Sequence, residues 1–302
     1  MLKQLDFSRF HRGSTDERDQ FCRELISGLS KSGWVRLVNH GVPPESIDRA
    51  FEMVRDFLQC LHPILPRLIP IGALVPLAWR TYQLCLTIAL GHATLTQGYE
   101  GTKIESYDIG SEQDPLYSNI WPPAGVHDGF QTTLSSFFTD CPPHSLRELH
   151  TAQTNELRLT HYPEVDQADF ANATRIAAHT DFGTITLLFQ DNVGGLEMEQ
   201  PPGSGVFVPA DSAGPHECIV NVGDCLQMWT GLHSARHRVH LAKSENQGNM
   251  VPERYSIAYF AKPDRAALLR PLLDSLVDDD KPVQDFLTAN EFQHMRIEGT
   301  YA

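Results

Sequence analysis

The sequence predicts a mainly β protein with flanking helices, and within that class a sandwich, barrel or jelly roll. Two observations carry this. From Glu156 onward, apolar residues alternate with a period of two in short runs. The runs are separated by turn signals: Asp191-Asn192, Gly194-Gly195, Pro202-Gly203 and Gly223-Asp224. Before that point, and again at the C-terminus, the period is helical. Many short, evenly spaced strands call for a double-sheet or closed architecture that protects their edges.

The elements follow in order. Ser14 and Glu17 have the spacing of a capping box, in which hydroxyl and carboxylate satisfy free N–H groups at a helix start. Phe21, Leu25 and Leu29 then recur every four residues, with Cys22 and Ile26 beside them, and Gly33 ends the helix. Trp34–Val38 reads as a strand and Asn39-His40-Gly41 as a turn. Pro43 and Pro44 open a second helix with Ile47, Phe51, Val54 and Leu58 on its apolar face.

From Phe57 to Tyr99 there is no Asp, Glu or Lys, and Pro63, Pro66, Pro70 and Pro76 break any helix. The Gln, His and Thr content makes this stretch a poor membrane span. A lid, a subunit contact and a misassigned coding segment are the three readings of it. Residues 125–150 read as helical, with Phe130, Leu134, Phe137 and Phe138 on one side. Strands are expected at Glu156–Tyr162, Ile176–Asp181, Thr184–Phe189, Leu196–Glu199 and Val206–Val208. More follow at Glu217–Val222, Leu226–Trp229, Arg238–Leu241 and Tyr255–Phe260. Thr288 and Glu291, again at capping-box spacing, start a C-terminal helix.

Composition narrows the function. Hydrophobic residues make up 41% and charged residues 21% of the 302 positions, which is globular and sets one or two domains. The formal charge of −14 argues against binding nucleic acid or an anionic membrane. The six cysteines are scattered with no CxxC pair, so neither a disulfide framework nor a thiolate zinc site is expected. The first residues contain no apolar signal core, and a cytoplasmic location is the expectation.

The residues that carry chemistry begin with His179-Thr180-Asp181. On a strand, positions i and i+2 face the same side, which brings an imidazole and a carboxylate together. With a third ligand from another strand, two histidines and one carboxylate form one face of a transition-metal site and leave positions open for chemistry on iron. His237 is the chosen third ligand, with His233 and His240 next. About two His-x-Asp/Glu matches are expected by chance, so the dyad alone also fits a surface turn or a satisfied core histidine. A second feature is Arg254-Tyr255-Ser256, which sets a guanidinium and a hydroxyl on one strand face, a good pairing for a carboxylate.

In these stretches the sequence resembles the iron(II)- and 2-oxoglutarate-dependent dioxygenases of the isopenicillin-N-synthase-like group. The matching segments are Gly33–Pro43 (GWVRLVNHGVP), Leu157–Pro163 (LRLTHYP), Ala178–Gly195 (AHTDFGTITLLFQDNVGG), Val220–Trp229 (VNVGDCLQMW), His237–Val239 and Arg254–Phe260 (RYSIAYF). They occur in the family's order. Ile104–Gly110 (IESYDIG) followed by Trp121-Pro122 is most similar to a fungal, thymine-hydroxylase-like subset.

The resemblance implies a double-stranded β-helix, or jelly roll, wrapped by helices. It implies an N-terminal helical and strand region over 1–125 and a jelly-roll core with a C-terminal helix over 126–302, forming one catalytic unit. It implies Fe(II) held by His179, Asp181 and His237, with 2-oxoglutarate as cosubstrate and dioxygen as oxidant. Arg254, Ser256 and Tyr162 are implied to hold the cosubstrate. The family often carries Asn where this chain has Thr160, the link between Trp229 and His237 is shorter here than is usual, and the residues before Gly98-Tyr99 match nothing in the family. Tyr107, Phe182 and Phe260 are candidate walls for a small-molecule substrate, and Arg296 a candidate at the pocket mouth. Lys103 and Arg238 are weaker candidates for a substrate acid.

The implied activity is hydroxylation, desaturation or oxidative cyclisation of a small organic molecule in secondary metabolism, coupled to decarboxylation of 2-oxoglutarate to succinate. A dioxygen-only oxidase of the same fold and an inactive jelly-roll binding protein are the alternatives. The sequence does not set the oligomeric state.

Overall fold

Alternation along the strands sorts the apolar residues of this chain onto two faces of one large sheet. The computed structural model describes residues 2–61, 105–110, 119, 121, 129–140, 147–152, 154–167, 174–210, 212–240, 250–272, 276 and 285–301. The strands are β1 (Gln4–Asp6), β2 (Trp34–Val38), β3 (Glu105–Gly110), β4 (Glu156–Tyr162), β5 (Val165–Asp166), β6 (Ile176–His179) and β7 (Ile185–Gln190). They continue with β8 (Leu196–Glu199), β9 (Phe207–Pro209), β10 (Cys218–Val222), β11 (His237–Val239), β12 (Met250–Val251) and β13 (Arg254–Ala261). A seven-stranded sheet has the order β1-β2-β10-β7-β13-β4-β3, and a four-stranded sheet the order β6-β11-β8-β9. Among the described residues, only β1 and β2 pair in parallel. The short β5 and β12 pair with each other.

The outer face of the large sheet carries Val35, Leu37, Leu157, Leu159, Phe189, Val220, Val222, Ile257 and Tyr259. Helices cover it. The helix Thr15–Ser32 contributes Phe21 and Leu29, and the helix Pro44–Leu61 contributes Ile47, Phe51, Val54 and Phe57. Phe130 and Leu134 come from the helix Phe130–Asp140, and the Phe57 and Phe130 rings lie 4.0 Å apart. Burying one such side chain contributes roughly 2 kcal/mol.

The first helix starts as its sequence predicts. The Ser14 hydroxyl accepts from the Glu17 N–H, and the Glu17 carboxylate accepts from the Ser14 N–H. It ends at Gly33, whose φ of 74° is left-handed. Ile26, expected beside the apolar stripe, is instead 57% exposed, because Gly28 lets the helix close onto β2 along the Gly28–Leu29 edge. A Cβ on Gly28 would sit 2.6 Å from Val35 Cγ1.

The inner face packs against the small sheet. Trp34, Tyr162, Leu188, Ile219 and Ala258 from the large sheet meet Leu196, Met198 and Val239 from the small one. This is a jelly roll with its helices on the outside, as expected.

Three expectations need correction. Leu226–Trp229 is not a strand but part of a helix, Asp224–Thr230, between Gly223 and a left-handed Gly231. Cys225 and Trp229, four apart, are both buried, so the run has a helical face that its short apolar pattern could not distinguish from a strand. The strand expected through Asp181 ends at His179. The short β1, β5 and β12, together with the helix Ser8–His11, carry too few residues for a periodic signal. The readings of Phe57–Tyr99 as lid, subunit contact or misassigned segment turn on residues 62–99, which lie outside the described residues, as does Lys103. The second helix runs on to Leu61, past the composition change at Phe57.

Candidate active site

His237 pairs with His179 across β11 and β6, so the two imidazoles lie side by side with ring centroids 4.3 Å apart. Asp181 joins them from the bend after β6, not from the pleat of the strand. Its Oδ1 is 3.8 Å from His179 Nε2 and 3.7 Å from His237 Nε2. All the ligand atoms of this trio lie within 4.8 Å of one another. His233 and His240, the reserve candidates, are not part of the trio.

The neighbours fix the chemistry of each ligand atom. His179 Nδ1 faces the Ala177 carbonyl at 2.9 Å, and His237 Nδ1 faces the Ala235 carbonyl at 3.1 Å. A carbonyl only accepts, so each Nδ1 carries the proton and each Nε2 offers a lone pair to the centre. Asp181 Oδ2 accepts from Thr186 Oγ1 at 2.5 Å and from Asn221 Nδ2 at 2.7 Å, leaving Oδ1 toward the histidines. Trp34 packs edge-on against His237 at 5.1 Å. Desolvation, and then the His237 ring, lowers the His179 pKa to about 4, which keeps it a neutral ligand. Burial alone would raise the Asp181 pKa, but His237, His179 and the two hydrogen bonds lower it. Two neutral nitrogens and one anionic oxygen on one side suit a divalent iron and leave its other side open.

The bend that carries Asp181 is fixed by the next helix. Asp224 N–H donates to the Asp181 carbonyl at 2.8 Å, and Cys225 N–H donates to the Gly183 carbonyl at 3.0 Å. The free N–H groups at this helix start therefore hold the metal bend. A Cβ on Gly223 would lie 2.3 Å from the Gly183 oxygen, so only glycine permits this approach.

Further along the inner face, Arg254 stands opposite Tyr162, and Ser256 stands between Thr160 and Gln190. Arg254 is 1% exposed. It donates to Gln190 Oε1 at 2.7 Å and to Ser256 Oγ at 3.4 Å, and its guanidinium lies 4.7 Å from the Tyr162 ring centroid. Its Nε is buried without a partner among the described residues. A buried guanidinium with an adjacent hydroxyl and no carboxylate partner among the described residues is a site for an anion.

The other end of the face is polar. Arg158 Nε and Nη2 donate to Asp108 Oδ1 and Oδ2 at 2.7 and 2.9 Å, and the guanidinium lies 5.4 Å from the Phe260 ring centroid. Lys262 pairs with Glu156. Burial would raise the Glu156 pKa, but Lys262 and then Arg158 bring it down to about 2.

The remaining candidates fall in different places. Phe260 is on the inner face. Phe182 follows the metal bend and lies under the Arg296 guanidinium at 5.1 Å. Tyr107 pairs with Leu159 in β3, and its side chain lies outside the described residues. Arg238 donates to Glu197 at 2.7 Å, and its guanidinium lies 4.3 Å from the Phe207 ring centroid. Thr186, Asn221, Gln190, Arg158 and Arg175 were not singled out from sequence. Their inward direction depends on the fold, although Thr186, Gln190, Arg158 and Asn221 all stand in the quoted stretches and only Arg175 lies outside them.

Comparison with known proteins agrees with this geometry. The sequence model of the 2OG-Fe(II) oxygenase superfamily matches residues 153–263, and that of the non-haem dioxygenase in morphine synthesis N-terminal region matches residues 2–61. The chain is 34% identical to the 2-oxoglutarate-Fe(II) type oxidoreductase ppzD of Metarhizium rileyi, with 99% of this chain and 91% of the relative covered. It is 34% identical to the proline hydroxylase buaE of Petromyces alliaceus, with 99% of each covered. Among solved structures, the thymine-7-hydroxylase of Neurospora crassa in complex with alpha-KG and thymine aligns with a TM-score of 0.78 at 26% identity, covering 99% of this chain and 97% of that one. With family models over residues 2–61 and 153–263 and relatives matched along nearly all of the chain, it belongs to the 2OG-Fe(II) oxygenase superfamily and is an Fe(II)- and 2-oxoglutarate-dependent dioxygenase.

Proposed function

We propose that His179, Asp181 and His237 are the Fe(II) ligands, and that Arg254, Ser256 and Tyr162 receive the distal carboxylate of 2-oxoglutarate. The observation that supports this best is the donor set. Two Nε2 lone pairs and one carboxylate oxygen converge, and each is turned inward by a hydrogen bond on its far side. Iron with 2-oxoglutarate and dioxygen supplies the oxidising chemistry. The chain's own part is to orient and to desolvate. Ala177 and Ala235 fix the imidazole tautomers, Thr186 and Asn221 orient the carboxylate, and Arg254 sets the direction of the cosubstrate along the inner face.

The substrate then lies toward Phe260, Arg158 and Asp108, an apolar ring beside paired charges. That combination suits a small organic molecule with at least one hydrogen-bonding edge. The thymine bound by the Neurospora enzyme and the hydroxylase name of the Petromyces relative support this class. The reaction is hydroxylation, desaturation or oxidative cyclisation, in a secondary metabolic pathway. Residues 1–125 and 126–302 act as one unit, since β1 and β2 extend the sheet that carries the site. No helix among the described residues is long and apolar enough to cross a membrane. A cytoplasmic location remains our reading.

The test is oxygen uptake and succinate formation by anaerobically iron-loaded protein, with and without 2-oxoglutarate. His179→Ala, Asp181→Ala and His237→Ala should each abolish both. Full turnover by the His237 variant would overturn the ligand set. Oxygen uptake that needs no 2-oxoglutarate would favour a dioxygen-only oxidase.

A further inference from the structure

A second arginine is buried at the same end of the inner face. Arg175, just before β6, is 0% exposed. Its Nη2 donates to the carbonyls of Pro163 at 3.2 Å and Pro252 at 2.6 Å, the residue after Tyr162 and the residue two before Arg254. Its Nε and Nη1 are buried without a partner among the described residues. Its guanidinium lies 5.6 Å from the Tyr162 ring centroid, the ring that Arg254 approaches at 4.7 Å.

Two buried cations therefore share one tyrosine, and no carboxylate among the described residues pairs with either. The acid whose charge acts on Arg175 is Asp191, which accepts from the N–H groups of Val193 and Tyr255 and makes no direct ion pair with Arg175 among the described residues. Burial and the nearby Arg254 lower the Arg175 pKa to about 10, still well above neutrality, so Arg175 stays charged. Like charges buried together are costly unless an anion joins them.

We propose that Arg175 is a positioning residue that sets the charge preference of the cosubstrate site. Its contacts with Pro163 and Pro252 hold the backbone on either side of Tyr162 and Arg254. Its charge, only partly offset by Asp191, favours a 2-oxoacid with a second carboxylate over one without. The inference rests on the assignment of Arg254 and Tyr162 to the cosubstrate, so the experiment includes an Arg254 control.

Binding is measured by calorimetry on Mn(II)-loaded protein without turnover. The ligands are 2-oxoglutarate and 2-oxopentanoate, which has the same chain length but lacks the distal carboxylate. Arg175→Gln should weaken 2-oxoglutarate binding about tenfold or more, leave 2-oxopentanoate and Mn(II) binding nearly unchanged, and so shrink the ratio between the two acids. Arg175→Lys, which keeps the charge, should restore most of that ratio. An equal change for both acids, or for neither, with only a lower melting temperature, would overturn the proposal and leave Arg175 as a structural clamp. If Arg175→Gln does not fold, Arg175→Lys decides: a retained ratio supports the charge role and a collapsed ratio overturns it. If Arg254→Gln leaves 2-oxoglutarate binding unchanged, the assignment of the site itself fails. If Arg254→Gln weakens binding and Arg175→Gln does not, only the role of Arg175 fails.

Discussion

The Arg296 guanidinium donates to the Thr180 hydroxyl at 3.0 Å, tying the C-terminal helix to the residue that separates His179 from Asp181. The same guanidinium pairs with Asp224, which also accepts from Thr180 at 3.1 Å. Arg296 therefore braces the bend that carries Asp181.

Removing this brace should loosen the metal site more than the fold. Arg296→Ala is expected to lower metal affinity about tenfold, in the range seen when groups that orient ligands are lost. The melting temperature of the metal-free protein should move by only a few degrees. Mn(II) titration and thermal unfolding check the two halves separately.

Asp181 depends on two donors to keep one oxygen free. Asn221→Ala or Thr186→Val should each reduce metal affinity about 10–100-fold, because an unanchored carboxylate turns away from the imidazoles. The double variant should be worse than either alone but less than additive, since both donors serve one oxygen. Metal titration of the three variants would show this. Unchanged affinity in all of them would mean that the hydrogen bonds do not orient the ligand.

Gly223 permits the contact between the metal bend and the following helix. Gly223→Ala puts a methyl against the Gly183 carbonyl, with a cost of about 1–3 kcal/mol for a tightly packed site. Thermal unfolding should register the loss, and metal affinity should fall with it because the Asp181 carbonyl is held by the same helix start.

Burial raises the Cys225 thiol to about 12, from an ordinary 9.0. In the folded protein it stays protonated at pH 8 and should resist alkylation that the half-buried Cys22 accepts. The unfolded chain loses this proton near pH 9 and the folded chain only near 12, so folded-state stability falls across that window as pH rises. Cys225→Ala should flatten this alkaline decline in a series of melting curves.

The sequence by itself determined the class of fold and pointed to the residues that the structure gathers into one cluster. β4 and β8 fall on the residues their alternation predicts, and both capping boxes form. Such signals are local: a hydroxyl and a carboxylate three residues apart meet in any helix start, and alternation follows from the pleat. The pairing of His179 with Asp181 was legible as a spacing, although the strand argument for it was wrong. A bend held by the start of the Asp224–Thr230 helix brings the two together, and that helix read as a strand in the sequence. Only the tertiary structure decided which atoms face the centre: Asn221 reaches Asp181 from another strand, and the Ala177 and Ala235 carbonyls and Thr186, although near in sequence, meet their partners only in the backbone path that the packed sheets impose. It also decided that Arg296 serves the metal bend, that Glu197 occupies Arg238, and that Arg175 lies beside Arg254. No sequence spacing encodes these long-range contacts: they depend on register between strands far apart in the chain, and register is set by the packed core as a whole.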